Sequence, residues 1–542
     1  MTHGLITAPQ PEAVEAGSDI LRDGGNAVDA AVACALVQTA VDPLMSGIAG
    51  FGSMQVYMPD QGELQGAHGF IDFHGRAPAS ARPDMWQDII LGEADDGFGF
   101  LLKGAVNELG YQSITTPMTL RALELALTRF GTRSLADLIQ PAIAYCEDGF
   151  QVRPHVNAFW NEVPSAGRIA HRAYLTRNPG ARKIYCKPDG SIYRLGEVVR
   201  NPDMGRTYRR IAEDGVEDFY SGAIAAEIAA DMAANGGLLA AGDLAAVAPT
   251  EAEPLWGSYR GHRVATNNPP GGGIMILEML NILENFNLAA MGHNSPEYIA
   301  TVSEAMKIAT VDKDTKVGDP RFVDVPVAEL TSNDYAAAMA DCIRRGEKTH
   351  VVRLNLGGEE SKDTTHICTV DGAGNCVSLT HSIGMPAGVV TEGLGFMYNG
   401  CMGVFDPRPG RAGSIAPGKS RFSSVCPTIV LRNGTPRIVI GAPGGTQIAM
   451  GVLQALLNVI DFDMSMSDAV LVPRFSATSN AIDITNRIPD YTAAPLRADG
   501  YEVIRSALTF GIGAVHGIRI DDGRLSGGAD PGHDGVALAV SV

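Results

Sequence analysis

Residues 361–383 read SKDTTHICTVDGAGNCVSLTHSI, the stretch that most restricts the fold. Two β-branched runs flank a Gly-containing turn, DGAGN at 371–375, which specifies an antiparallel hairpin. With that turn as the loop, Val370 pairs with Cys376, Cys368 faces Ser378, His366 faces Thr380 and Thr364 faces Ser382. A slip of one residue would turn every side chain to the opposite face. The register therefore sets two hydroxyls across from each other at the open end of the hairpin. They follow a polar, Gly-containing stretch, 344–362, that reads as an exposed loop.

A threonine hydroxyl is a weak nucleophile at neutral pH and needs a base beside it. No serine, histidine and acid arrangement is evident around Thr364. Its own α-amine, with an unperturbed pKa of about 7.7–8.0, would serve, but it exists only if the Asp363–Thr364 peptide bond is cut. On the hairpin alone, the plainer reading of Thr364 is a β-branched residue opening a strand.

The 542-residue chain is long enough for two or three domains or one large layered one, and its composition, 45% hydrophobic and 19% charged, is that of a globular protein. A net charge of −19 repels nucleic acid and anionic membrane, and no basic arm offsets it. No apolar run reaches the ~18 residues a membrane span requires. The N-terminus lacks a basic region followed by an apolar one, so a soluble cytoplasmic protein is expected. Eight cysteines without a C-x-x-C pair read as reduced, buried thiols.

PEAVEAGSDILRD has helical spacing and stops at Gly24-Gly25, and Asn26 with Asp29 caps a second helix from Ala27. SGIAGFGSMQVYMP ends in strand-like alternation. Helical patterns dominate 117–232 and recur in GIMILEMLNILENF and SPEYIATVSEAMKIATVDKD, and strands take over after Thr364. This order suggests stacked layers of helix and sheet, an α+β arrangement, and not alternating βαβ units.

The motifs together resemble the γ-glutamyltranspeptidase family nearly end to end. Those that carry the resemblance are GGNAVDAAVA (24–33), SGIAGFGSMQVY (46–57), GGLLAAGDLAAV (236–247), PPGGGIMILEMLNIL (269–283), DTTHICTVDGAGNCVSLTHSI, SRFSSVCPTIVL (420–431) and GAPGGTQI (441–448), in order. The resemblance implies an N-terminal nucleophile hydrolase with a four-layer αββα sandwich. It implies a precursor that cuts itself between Asp363 and Thr364 into segments 1–363 and 364–542, which stay together as an intertwined heterodimer. Thr364 is then nucleophile and, through its freed amine, base. By motif position Ser382 stands where the family has a second hydroxyl on the nucleophile. Gly444 and Gly445 stand at the oxyanion hole, and Ser423 and Ser424 at the substrate carboxylate. The stretch 406–422 fits the family's lid loop. Each also has an ordinary structural reading: a sheet-face hydroxyl, a tight turn, turn-forming serines, an exposed linkage.

The sequence departs from the family where the substrate's polar head is held. His74, in IDFHGRAPA, stands in place of a carboxylate-binding arginine, and Arg76, two residues on, returns to the same face of an alternating strand. A structural salt bridge is the other reading of Arg76. Gly384, Cys401 and Val404 stand where asparagine, glutamine and aspartate hold the α-amine in the family. An ammonium buried without an acid is costly, so acyl groups bearing a carboxylate but no α-amine are expected, cleaved by water or passed to an amine. Two rivals stay open: a true γ-glutamyltransferase or glutathione hydrolase, and an unprocessed, inactive homologue acting as a binding protein. No metal or organic cofactor is expected. The histidines lack ligand spacing, and Asp312, Asp314 and Asp319 in VDKDTKVGDP read as a helix-terminating loop. The partner is a small-molecule amide, and the oligomeric state, higher oligomers included, is left open.

Overall fold

The hairpin forms in the expected register: strand Thr365–Asp371 pairs with Cys376–Ser382 through His366↔Thr380, Cys368↔Ser378 and Val370↔Cys376. The structure, a computed structural model, describes residues 4–59, 67–94, 99–164, 167–352 and 364–541. Asp363 and most of the loop before it lie outside the described residues.

The hairpin occupies the middle of a seven-stranded sheet. Its order is Val536–Val540, Gly4–Ala8, Thr365–Asp371, Cys376–Ser382, Phe51–Met58, Ala67–Phe73, Thr250–Ala252. A second sheet of six strands runs Arg524–Ala529, His516–Asp521, Thr435–Gly441, Thr428–Arg432, His262–Thr266, Leu255–Tyr259. The two sheets face each other across small and polar groups. Ser378 Oγ donates to Ile440 O at 2.9 Å, and Asn267 Nδ2 donates to Ser53 Oγ at 3.1 Å. Helices Pro11–Arg22 and Ala27–Val41 cover the outer face of the first sheet, and Gly273–Leu283, Pro296–Lys316 and Ile448–Ile460 pack outside the second. This is the αββα sandwich.

Layering explains which residues are buried. Helix Ala27–Val41 is buried along its whole length, because sheet covers one side and further helices the other. Its start is the expected capping box, Asn26 with Asp29, and Gly24 at φ 81° lets the chain turn after the first helix. Strand Phe51–Met58 alternates as expected, yet its polar positions Ser53 and Gln55 point between the sheets and not into solvent. All eight cysteines are free thiols, six of them buried.

Two features differ from the sequence reading. Strands Gly4–Ala8, Thr250–Ala252, Leu255–Tyr259 and His262–Thr266 precede the hairpin in sequence, so the strand content is not confined to the C-terminal part. Asp312 and Asp314 are helical, because Pro296–Lys316 continues past the point where a loop was expected. Asp312 accepts a hydrogen bond from Tyr335 and pairs with Lys316 at 2.8 Å, which supports the last turns.

The hairpin is tied to the helix layer through Asp371. Its carboxylate accepts from Ala27 N (2.9 Å), Ala373 N (2.9 Å), Asn375 N (3.0 Å) and Asn375 Nδ2 (2.7 Å). One side chain thus closes the turn and places a negative charge at the N-terminus of helix Ala27–Val41. Replacing Asp371 by alanine is expected to destabilise the protein by about 1–3 kcal/mol, read as a lowered denaturation midpoint. An unchanged midpoint would show that the turn holds its shape without the carboxylate.

Candidate active site

Thr364 lies immediately before the strand and is 3% exposed. Its Oγ1 donates to Ser382 Oγ at 3.2 Å, and Ser382 Oγ accepts the N–H of Gly384 at 2.8 Å. The two hydroxyls that the register set opposite each other are therefore in contact. The neighbouring residue is fixed from behind. Gln38 Nε2 donates to Thr365 Oγ1 (2.8 Å), Thr365 Oγ1 donates to Gln10 Oε1 (3.2 Å), and Gln10 Nε2 donates to Asp42 (2.8 Å). His381 Nε2 donates to the Oε1 of the same Gln38 at 2.8 Å. Sequence reading passed over Gln38. Its signal was an amide in an otherwise apolar, fully buried helix, since a buried polar group requires partners.

The imidazoles on the hairpin are poor bases. Burial lowers the proton affinity of His366 well below that of an ordinary histidine, helped by His516 and His381 nearby, and burial pushes His381 down to about 3. His366 also engages Thr380 Oγ1 through Nδ1 at 2.8 Å and Cys368 Sγ through Nε2 at 3.2 Å. Neither ring is suited to activating a hydroxyl at neutral pH.

After strand Thr435–Gly441 the chain turns through Gly444 (φ 138°) and Gly445 (φ 54°) into a short 3₁₀ turn and helix Ile448–Ile460. A Cβ on Gly444 would sit 2.9 Å from Gly513 Cα, so glycine is required by packing as well as by φ. Among the described residues no backbone carbonyl takes the amide hydrogens of Gly444 or Gly445. Gly513 is held in place by Arg474, whose guanidinium donates to Ile512 O (2.7 Å) and Gly513 O (2.8 Å) and pairs with Asp530.

Ser423 and Ser424 are both buried. Ser423 N donates to Pro270 O at 2.9 Å, and Gly272 N to Val425 O at 2.9 Å. A Cβ at Gly272 would fall 2.4 Å from Ser424 O, so the glycine turn after Pro270 lets the serine segment lie against it. A cleft of about 560 Å³ runs past Ser424, Phe422, Thr446, Val404, Arg408 and Arg411. It joins the serine segment and the glycine turn, and the stretch 406–422 forms part of its wall. Asp319 anchors that stretch by accepting from Ser420 N at 2.8 Å.

The positions that depart from the motif pattern fall close to one another. Arg76 is half-buried, and its guanidinium donates to Ala248 O at 3.2 Å, with its backbone paired to Ser420. His74 Nδ1 engages Asp72 at 2.5 Å, and its ring lies 5.9 Å from that of Phe51. Cys401 Sγ donates to Ile383 O at 3.5 Å, and burial raises its thiol above the ordinary range, so it stays uncharged. Beside Gly384 and Cys401 lies Arg421, a residue that sequence reading did not single out. It is 4% exposed, and its guanidinium is stacked 4.5 Å from the centre of the Phe51 ring.

A sequence model of the family described as Gamma-glutamyltranspeptidase matches residues 13–540. The chain belongs to the γ-glutamyltranspeptidase family. It is accordingly an N-terminal nucleophile hydrolase, of the amide hydrolase and acyltransferase class. Among its relatives, the Acylase ACY 1 proenzyme of Pseudomonas sp. strain V22 is 36% identical, over all of this chain and 94% of that protein. The Glutathione hydrolase proenzyme of Escherichia coli strain K12 is 33% identical, over 97% of this chain and 90% of that one. The crystal structure of cephalosporin acylase from Bacillus halodurans superposes with a TM-score of 0.85 at 28% identity, covering 100% of this chain and 96% of that one. Among the described residues, no helix of this γ-glutamyltranspeptidase homologue is long and apolar enough to cross a membrane.

Proposed function

We propose that this protein is a self-cleaving amidase whose acyl substrate carries a carboxylate and lacks an α-amino group. In maturation, Thr364 Oγ1 attacks the carbonyl carbon of Asp363 and the peptide nitrogen leaves, an N→O acyl shift. Water then hydrolyses the ester, releasing the Asp363 carboxylate and the α-amine of Thr364. In turnover that amine takes the hydroxyl proton as Oγ1 adds to the substrate carbonyl. The proton passes to the departing amine, and water or an amine acceptor resolves the acyl ester.

Ser382 holds the nucleophile's oxygen, and the amides of Gly444 and Gly445 receive the developing oxyanion. The serine pair and the cleft beside it take the acyl group. The observation that carries the choice of acyl class is the composition of the head pocket. Where family members would hold an ammonium, this chain has a glycine, a neutral thiol and a valine, and a guanidinium lies against the first two. An ammonium placed there would be desolvated beside a positive charge. Two relatives named Acylase ACY 1 proenzyme support cleavage of an acyl amide.

The alternative is γ-glutamyl transfer or glutathione hydrolysis, favoured by the resemblance to the E. coli glutathione hydrolase proenzyme over nearly the whole chain. Steady-state kinetics decide between the two. The glutaryl p-nitroanilide is expected to be turned over at least about tenfold faster in kcat/KM than the γ-glutamyl compound, a difference of about 1.4 kcal/mol. A preference for the γ-glutamyl compound overturns the reading.

A further inference from the structure

We propose that Arg421 is the residue that binds the carboxylate of the acyl group. The inference rests on the acyl class proposed above and assigns its recognition to one side chain.

Four arginines are buried among the described residues: Arg153, Arg168, Arg421 and Arg474. Three have carboxylates. Arg153 pairs with Glu12 at 2.8 Å, Arg168 with Glu108 at 2.6 Å, and Arg474 with Asp530. Arg421 does not. Its Nη1 donates to Phe422 O at 3.0 Å and its Nη2 lies 3.8 Å from Cys401 Sγ, while Nε has no partner among the described residues. A desolvated guanidinium with unspent donors is costly to keep unless something anionic completes it, and the planar fork matches a carboxylate.

Its position fits that role. Phe51, on which it stacks, is the register partner of Ser382 across the sheet. Gly384, whose N–H donates to Ser382 Oγ, leaves room for it: a Cβ there would lie 3.1 Å from Arg421 Nη2 and 2.9 Å from Cys401 Sγ. A larger side chain at 384 would therefore collide with the thiol and crowd the guanidinium. The His74 ring lies 5.9 Å from that of the same Phe51, with its Nε2 unpartnered among the described residues. Two positions at which the sequence departs from its family, 384 and 401, thus lie against one cation, and a third, 74, lies against the ring on which that cation stacks. They fit one arrangement, in which a guanidinium from the segment before the serine pair stands where the family pattern has an arginine at the position of His74, just after strand Ala67–Phe73. Arg76 does not serve, because its guanidinium is turned toward Ala248 O.

The test compares glutaryl with pentanoyl p-nitroanilide, which share a five-carbon acyl chain and differ in the terminal carboxylate. Removing the guanidinium in Arg421→Met is expected to lower the glutaryl-to-pentanoyl ratio of kcat/KM by about 100-fold, mostly through KM. Arg421→Lys keeps the charge without the fork and is expected to fall between the two, about tenfold down. A ratio unchanged in a Met variant that matures into two chains overturns the proposal. Inhibition of the wild-type enzyme gives a reading independent of any variant's folding. Glutarate is expected to inhibit at least about tenfold more strongly than pentanoate, and equal inhibition also overturns the proposal. Should the wild type prefer γ-glutamyl anilide, the acyl class falls. The Met variant then decides separately, on that substrate, whether Arg421 holds its carboxylate.

Discussion

Replacing Thr364 by alanine is expected to leave the chain as a single uncut band of 57.0 kDa and to lower amidase activity by at least about 10⁴-fold. Both losses follow from one atom. Without Oγ1 nothing attacks the carbonyl of Asp363, so the bond that would yield the α-amine stays intact and no base is made. The other groups on the hairpin do not replace it. His366 and His381 are held neutral by burial and are engaged elsewhere, and Ser382 Oγ already accepts from Gly384 N. Thr364→Ser keeps hydroxyl and amine and is expected to mature, more slowly, with part of the activity. Denaturing gels and anilide hydrolysis read the two losses separately. An alanine variant that matures and turns over like the wild type would remove the basis for the proposed chemistry.

Gly444→Ala is expected to cost about 10²–10³ in kcat with a smaller change in KM, equivalent to about 2.7–4 kcal/mol of transition-state stabilisation. The added Cβ meets Gly513 Cα at 2.9 Å, and φ of 138° is outside what an L side chain adopts comfortably. The turn must shift, and with it the two amides whose hydrogens no described backbone carbonyl accepts. Because Gly513 is pinned by Arg474, the neighbour cannot retreat and the glycine turn must. Circular dichroism and the extent of chain cleavage separate a displaced turn from a misfolded protein. A variant with wild-type kcat would show that the oxyanion is received elsewhere.

The sequence by itself determined the hairpin register, the hydroxyl pair Thr364 and Ser382, the capping box at Asn26 and the family. These rest on local rules: period-two alternation, a turn of defined length, a cap three residues from its partner, and motifs in a fixed order. Only the tertiary structure decided which cation stands beside the hydroxyl pair. Arg76 has the right spacing along its own strand, but spacing along a strand fixes a face and not a destination, and its guanidinium ends on Ala248 O. Arg421 carries no local signal, because what distinguishes it is the absence of an acid partner among the described residues and the space left by Gly384. Both are properties of segments far apart in sequence that the two sheets bring together. The same holds for Gln38 and Asp371, each of which has a partner more than three hundred residues away, because burial turns an isolated polar side chain into one that must find a partner wherever the fold supplies it.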